Sequence, residues 1–216
     1  MTAHHNFESG KGLSKHRIEA LSDGIFAFAM TLLVLDIKMP KLPETAVQAG
    51  RLAPSLLVLW PKFFSYFLSF VILGVFWVGH HGYMHFLKRT DRWLLWINLL
   101  FLLLIVCVPF STDLLGDYPM QKVAVMIYGS NIAALGFTLY LQWWYATTQH
   151  RLVGRDLERE AIRKGALRPL GGAAIYLCAV FLALVNPIVS LIIYAAVPLL
   201  YILPGPLDHH WTHSHG

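Results

Sequence analysis

Charged side chains are scarce in this sequence of 216 residues. Only 13% of the residues are Asp, Glu, Lys or Arg, whereas 56% are hydrophobic, and the mean hydropathy is +0.56. Soluble domains carry about a quarter charged residues, so a chain this poor in charge cannot cover a water-facing surface. The composition excludes an ordinary soluble enzyme and a disordered tail, and it predicts an integral membrane protein.

Cysteine is also rare, and catalytic motifs are missing. Cys107 and Cys178 are the only cysteines and both lie within apolar runs, which excludes a disulfide scaffold. The sequence has no metal-binding pair at catalytic spacing, no nucleophile elbow and no phosphate-binding loop. We therefore expect no enzyme activity and no cofactor. The net charge of +5 is typical of a basic cytoplasmic membrane face rather than of a nucleic-acid partner, and we expect no nucleic acid.

The apolar runs predict an all-α protein with six membrane-spanning helices. A span needs about 20 mostly apolar residues, and the turn signal Asn186-Pro187 divides the last run into two short helices. The predicted spans are residues 18–37, 54–83, 93–110, 121–148, 170–185 and 188–203. We expect one transmembrane domain at 18–203, between an N-terminal segment at 1–17 and a His-rich tail at 204–216. A polar segment, 150–168, is expected to form an amphipathic or solvated helix.

The basic residues predict the orientation of the chain. If residues 1–17 lie inside, the inner segments hold twelve Lys and Arg residues and the outer segments hold four. Because cytoplasmic segments are enriched in Lys and Arg, both termini are expected to be cytoplasmic. The histidines of the tail, between His209 and His215, suit either metal binding or a flexible polar tail, and we favour the tail because no Cys or carboxylate cluster completes a site.

The segment from Arg17 to Ile37 carries an apolar stripe when it is placed on a helix. At about 100° per residue, Leu35 lies about −20° from Phe28, Leu32 about +40° and Thr31 about −60°. The stripe therefore has one hydroxyl beside it. Taken by itself, such a stripe is typical of helix packing or of contact with lipid.

Ser22 and Asp23 point away from this stripe and need partners on neighbouring helices. A carboxylate near the centre of a span costs about 2.5–3.5 kcal/mol, so such residues usually face a bundle interior. From the residues alone, Asp23 is either a structural hydrogen-bonding group or a participant in transport.

Four motifs follow one another through roughly the first half of the chain. They are Arg17-x-x-x-Leu21-Ser22-Asp23, Trp77-x-x-His80-His81, Asp91-x-x-Leu94-x-Trp96-x-Asn98 and Pro109-Phe110-Ser111-Thr112. Their order and spacing resemble those of the transmembrane protein 175 (TMEM175) potassium channels, whose signature is Arg-x-x-x-Phe-Ser-Asp. Leu21 stands where that signature has Phe, which we interpret as a conservative packing change.

The resemblance implies a potassium-permeable cation channel. Eukaryotic members carry two six-helix repeats, whereas this chain has one, so it is similar to a prokaryotic subunit that assembles as a homotetramer. Such a subunit is expected in the plasma membrane, surrounded by lipid, with K⁺ as the permeant ion. Its first helix is expected to line the central pore.

Pore positions follow from the offset to the signature arginine. The resemblance places Phe28, Thr31, Leu32 and Leu35 on the side of the first helix that faces the pore. From their chemistry we expect the pore constriction at Phe28, Leu32 and Leu35 and the selectivity position at Thr31. Narrow apolar rings gate by dewetting, so stacked rings of these side chains are expected to form a hydrophobic gate. Four Thr31 hydroxyls offer few ligands, which predicts modest selectivity for K⁺ over Na⁺. Phe28 stands where familiar members have an aliphatic residue.

The resemblance also implies a polar network that braces the first helix. In it Trp77, His80, His81 and Asn98 hydrogen-bond to Ser22 and Asp23, and Arg17 completes the signature. A pH sensor is the alternative for the histidine pair, because imidazole titrates near neutrality. We favour bracing, because buried polar groups need hydrogen-bond partners.

Three other functions compete with a potassium channel. A b-type cytochrome needs haem ligands that face one another from different helices, whereas His80 and His81 are adjacent on one predicted helix. A secondary transporter usually shows inverted repeats and broken helices, and neither is evident in the first four spans. A proton-conducting leak channel is the main alternative, because a wetted apolar pore can conduct protons.

Overall fold

The structure is a computed structural model that describes residues 15–35, 37–38, 43–45 and 50–202. Most of the predicted N-terminal segment and all of the His-rich tail lie outside the described residues. The described residues form seven α-helices and one 3₁₀ turn, Thr148–His150. The helices are α1 (Lys15–Leu35), α2 (Leu52–Leu57), α3 (Trp60–Phe86), α4 (Arg92–Asp117), α5 (Lys122–Thr147), α6 (Arg159–Leu182) and α7 (Pro187–Ile202).

Five of these helices, α1 and α3 to α6, are long and apolar enough to cross a membrane. The helix α7 is apolar but has only 16 residues, which at 1.5 Å per residue is about 24 Å against a hydrocarbon core of about 30 Å. Each predicted span corresponds to one of α1 and α3 to α7. The predicted class, an all-α integral membrane protein, is confirmed.

Two predicted boundaries are wrong. The predicted span 54–83 is divided into α2 and α3 by a turn at 58–59, and α3 has Pro61 in its first turn, where the missing N–H costs nothing. The second half of the predicted polar helix and the fifth span form a single helix, because α6 runs without interruption through Pro169.

Tyrosine hydroxyls explain how α6 and α7 continue through proline. A proline inside a helix leaves the carbonyl four residues earlier without its N–H donor. The hydroxyl of Tyr83 on α3 donates to the carbonyl of Gly165, four residues before Pro169. The hydroxyl of Tyr176 donates to the carbonyl of Tyr194, at 3.1 Å, four residues before Pro198. Neighbouring helices therefore supply the two missing bonds.

The helices pack in sequence order, α4 on α3, α5 on α4, α6 on α5 and α7 on α6, and α1 packs against α3 and α4. We call the end of the bundle at which α1, α4 and α6 begin the proximal end and the other the distal end. The main apolar core lies among α1 and α3 to α7. A smaller apolar cluster closes the proximal end. The smaller cluster contains Ile18, Met84, Leu87, Leu94, Ala146, Leu152 and Val153.

Candidate pore helix and its bracing network

The helix α1 has one face inside the protomer and one face outside it. The buried residues recur every three or four positions and are Ile18, Ser22, Phe26, Ala29 and Leu33. Phe28 and Leu35 are 59% and 67% exposed, Thr31 is exposed and Leu32 is half-buried. At about 100° per residue, Thr31 lies opposite the middle of the buried face. Phe28, Thr31 and Leu35 therefore point away from the helices that hold α1, whereas Leu32 lies on the flank of that face.

Thr31 presents lone pairs rather than a hydrogen to its surroundings. Its hydroxyl donates to the carbonyl oxygen of Phe28 at 2.7 Å, and a threonine hydroxyl has one hydrogen and two acceptor lone pairs. Thr31 is also the only polar residue between Gly24 and Leu35. The exposed face consequently offers one acceptor suited to a cation in otherwise apolar surroundings.

A buried chain of hydrogen bonds holds the inner face of α1. The amide nitrogen of Asn98 donates to the hydroxyl of Ser22 at 3.3 Å. The carbonyl oxygen of Asn98 lies 2.8 Å from Nε2 of His80, and since that oxygen only accepts, Nε2 carries the hydrogen. The His80 ring also stacks on Phe101, with centroids 5.3 Å apart. Ser22 on α1 is thus connected through α4 to α3 by side chains that water does not reach.

Asp23 belongs to a separate, exposed contact. Nε1 of Trp77 donates to a carboxylate oxygen of Asp23 at 2.8 Å. His81 stacks on Trp77, with centroids 5.8 Å apart, and within the described residues of the chain it makes no hydrogen bond to Ser22 or Asp23. Arg17 is exposed and, among the described residues, has no ion pair. The structure therefore brings together two groups of the expected network and leaves His81 and Arg17 outside them.

Two clusters of interacting polar side chains were not predicted from the sequence. Thr112 donates to Ser69 at 2.7 Å, and Ser69 lies 2.9 Å from the Tyr128 hydroxyl, so α3, α4 and α5 share a buried hydroxyl cluster. Thr112 ends a quoted motif, but nothing in the sequence connects it with Tyr128, which follows on another helix.

The second cluster is formed by Lys62, which lies inside the predicted span 54–83, and two carboxylates that neutralise its charge. Nζ of Lys62 lies 2.6 Å from Asp117 and 3.6 Å from Asp113 at the distal end. The two carboxylates are four residues apart on α4, and this spacing places them on one face of a helix. This spacing was the one signal in the sequence from which a carboxylate pair that binds a lysine could have been predicted.

The two histidines of α3 face different surroundings. His80 is buried and bonded to Asn98, whereas His81 is exposed beside Trp77. The described residues contain no group of three or more His, Cys, Asp or Glu positioned for a metal ion. With several membrane-length helices and a hydroxyl-bearing face of α1 turned outward, the fold and the site define a multi-pass helical membrane protein whose first helix leaves one face uncovered.

The sequence comparison identifies the family. The profile described as "Endosomal/lysosomal potassium channel TMEM175" matches residues 17–109, which include the first three motifs and end at Pro109, the first residue of the fourth. A potassium channel of Streptomyces collinus is 34% identical over 189 residues, which cover 86% of this chain and 90% of the relative. The chain belongs to the TMEM175 family.

A solved structure and a human relative support the same assignment. The crystal structure described as a lysosomal potassium-selective channel TMEM175 homologue from Chamaesiphon minutus superposes with a TM-score of 0.77 at 32% identity, covering 87% of this chain and 95% of that one. The human endosomal/lysosomal proton channel TMEM175 is 28% identical over 153 residues, which are 68% of this chain and 30% of the human protein.

Proposed function

We propose that this chain is the subunit of a potassium-permeable cation channel whose pore is lined by α1. The observation that carries the proposal is the exposed face of α1, where Phe28, Thr31 and Leu35 point away from the protomer. In a membrane this face meets either lipid or other copies of the chain. Family membership favours other copies, since relatives are named as potassium channels.

The assembly we propose is a homotetramer in the plasma membrane of a prokaryote, with both termini in the cytoplasm. A pore requires a closed ring of subunits, and four α1 helices turned inward would cover their exposed faces. The excess of basic residues at the proximal end supports a cytoplasmic position for that end. The outer surfaces of the bundle would contact lipid.

Gating in this proposal depends on apolar rings. Four copies of Phe28 and of Leu35 would form two apolar rings. The wall of such a narrow constriction offers water and a hydrated cation too few interactions to replace the hydrogen bonds and hydration that they lose on entering, so the constriction stays dry. Leu32 is half-buried and lies on the flank of α1 nearer the protomer, so it would line the same constriction less directly. Tilting or rotation of α1 would widen and wet the pore.

Selectivity in this proposal depends on Thr31. Because its hydrogen is bonded to the Phe28 carbonyl at 2.7 Å, four Thr31 oxygens would offer acceptors that replace some of the water shell of K⁺. Four hydroxyls are fewer ligands than a carbonyl filter provides, so the preference for K⁺ over Na⁺ is modest. The network of Ser22, Asn98 and His80 would set the rotation of α1 and so keep Thr31 in the pore.

Proton conduction is the second candidate function. It is favoured by the human relative, which is named a proton channel. A narrow apolar pore that holds a single file of water passes protons along hydrogen bonds, with no need to strip a hydration shell from an ion.

A flux assay with purified full-length protein in liposomes tests both functions. Potassium, sodium and proton gradients are applied in turn, with protein-free liposomes as the control. Potassium uptake that exceeds sodium uptake and changes when Thr31 is replaced supports the proposed channel. Proton flux without potassium flux would establish the second function, and no cation flux from a folded, tetrameric protein contradicts both.

A further inference from the structure

Four basic side chains converge at the proximal end of the bundle, where the α3–α4 and α5–α6 connections meet. They are Lys88, Arg89, Arg92 and Arg151, and we call them the basic corner. An antiparallel bridge pairs Leu87 with Val153, and the backbone N–H of Lys88 donates to the Leu152 carbonyl at 2.9 Å. The two connections are therefore held together by their backbones, independently of the charges.

The two inner arginines are held side by side in spite of their like charges. Nε of Arg89 donates to the backbone carbonyl of Arg151 at 2.8 Å. The guanidinium carbon of Arg151 lies 4.6 Å from the centre of the Tyr145 ring. Arg92 follows Asp91, whose carboxylate accepts the Tyr145 hydroxyl at 2.7 Å, so it begins α4 next to the same tyrosine. Among the described residues, the terminal nitrogens of Arg89 and Arg92 donate no hydrogen bond, so they remain available as donors.

No carboxylate among the described residues forms an ion pair with any of the four. Asp91 is the nearest acid along the α4 side, and both of its oxygens are engaged, one by the N–H of Leu94 at 2.9 Å and one by Tyr145. Asp156 lies beside Gly154 near the stem of Lys88 but forms no ion pair within the described stretches. Asp91 and Asp156 offset part of the charge of the four basic side chains, so the exposed basic corner keeps a net positive charge.

The position of the corner indicates which anion it fits. Trp93, 69% exposed, follows Arg92 in the first turn of a membrane-length helix, and exposed Trp is typical of the membrane–water interface. Guanidinium groups bind phosphate oxygens through paired N–H donors. We propose that the basic corner binds the phosphate of an anionic phospholipid headgroup, with Trp93 beside the upper portion of its acyl chains.

The test measures phospholipid binding by the purified, delipidated full-length protein with native mass spectrometry. Phosphatidylglycerol and phosphatidylcholine are titrated separately, and glycerol phosphate serves as a soluble competitor. We expect phosphatidylglycerol to bind more tightly than phosphatidylcholine, and glycerol phosphate not to displace it. Each basic residue near a membrane surface contributes about fivefold in affinity for anionic lipid, so Lys88→Gln with Arg92→Gln should weaken phosphatidylglycerol binding about 25-fold.

Three variants keep the test independent of folding. Lys88 and Arg92 make no side-chain hydrogen bond among the described residues, so their double variant removes charge without removing a structural contact. Arg163→Gln removes one exposed charge from α6, outside the corner, and should leave binding unchanged. Arg89→Lys with Arg151→Lys keeps the charge but loses the paired donors and should bind more weakly than the parent.

Three results would overturn the proposal. Equal binding of the two lipids would show that the corner does not recognise an anion. A loss of about fivefold in the Arg163→Gln control, the same per charge as in the double variant, would show that the effect is one of net charge rather than of this site. Displacement of phosphatidylglycerol by glycerol phosphate would show that the site takes a soluble phosphate ester and not a lipid.

Discussion

Thr31 illustrates how much one side chain contributes when its surroundings are apolar. Its hydroxyl hydrogen is bonded to its own helix at 2.7 Å, so only its lone pairs face outward. Between Gly24 and Leu35, the other residues of the exposed face are aliphatic, aromatic or glycine. A cation that passes this face would find its protein ligands at this one level of α1.

Replacing Thr31 tests this role directly. Thr31→Val keeps the shape of the side chain and removes the oxygen, so we expect the permeability ratio of K⁺ to Na⁺ to fall towards unity. Thr31→Ser keeps the hydroxyl and should retain most of the preference. Reversal potentials under bi-ionic conditions measure the ratio. Identical reversal potentials for the valine variant and the parent would exclude Thr31 from selectivity.

Asn98 is the central residue of the bracing network because it bonds to both Ser22 and His80. Asn98→Leu leaves both partners buried without a hydrogen bond, and each such group costs about 1–3 kcal/mol. We expect lower thermal stability and loss of oligomer, measured by size-exclusion chromatography after heating. Ser22→Ala breaks only the 3.3 Å bond and should destabilise less. Equal stability of Asn98→Leu and the parent would argue against bracing.

At the scale of elements, α6 shows how tertiary contacts overrule a helix breaker. Pro169 frees a carbonyl that Tyr83 then occupies, and Nε1 of Trp143 donates to the Ile162 carbonyl one turn earlier at 2.9 Å. The Trp143 ring stacks on Tyr83, with centroids 4.6 Å apart. Two aromatic side chains from α3 and α5 therefore hold the first turns of α6.

Gly165 provides the space for this contact. A Cβ atom at Gly165 would lie 2.7 Å from the Trp143 ring, and overpacking of this kind costs about 1–3 kcal/mol. We expect Gly165→Ala to lower the melting temperature in detergent. Gly171→Ala is the matched control on the same helix, since its Cβ would meet nothing within 4 Å. Equal melting temperatures for the two variants would show that Trp143 moves aside freely.

At the scale of the whole molecule, the proposed channel would depend on the exposed face of α1 for both assembly and gating. Phe28 is the largest side chain on that face, and four copies would give the tightest apolar ring. Phe28→Ala should widen the ring and raise the resting potassium conductance, measured by liposome flux. Phe181→Ala truncates a similarly exposed Phe of α6 and should leave conductance unchanged. An unaltered Phe28→Ala channel would place the constriction at Leu32 or Leu35.

Composition and local pattern predicted the class of the protein. Long apolar runs can only be accommodated in a bilayer, and a helix satisfies its own backbone there, so the apolar helical segments and their order follow from the sequence. That Phe28, Thr31 and Leu35 share one side of α1 also follows, because the relative direction of side chains on a helix depends on residue spacing. Helix packing decided that this side points outward.

Tertiary structure decided which polar side chains contact one another and where α3 and α6 begin. Ser22 and His80 are joined by Asn98 and not by a direct bond, and Lys62 is neutralised by α4, because long-range pairing depends on how helices pack. Pro169 lies inside a helix because Tyr83, 82 residues away from Gly165, supplies the missing hydrogen bond. Local sequence determines what a segment needs, and the packed bundle determines which distant residue provides it.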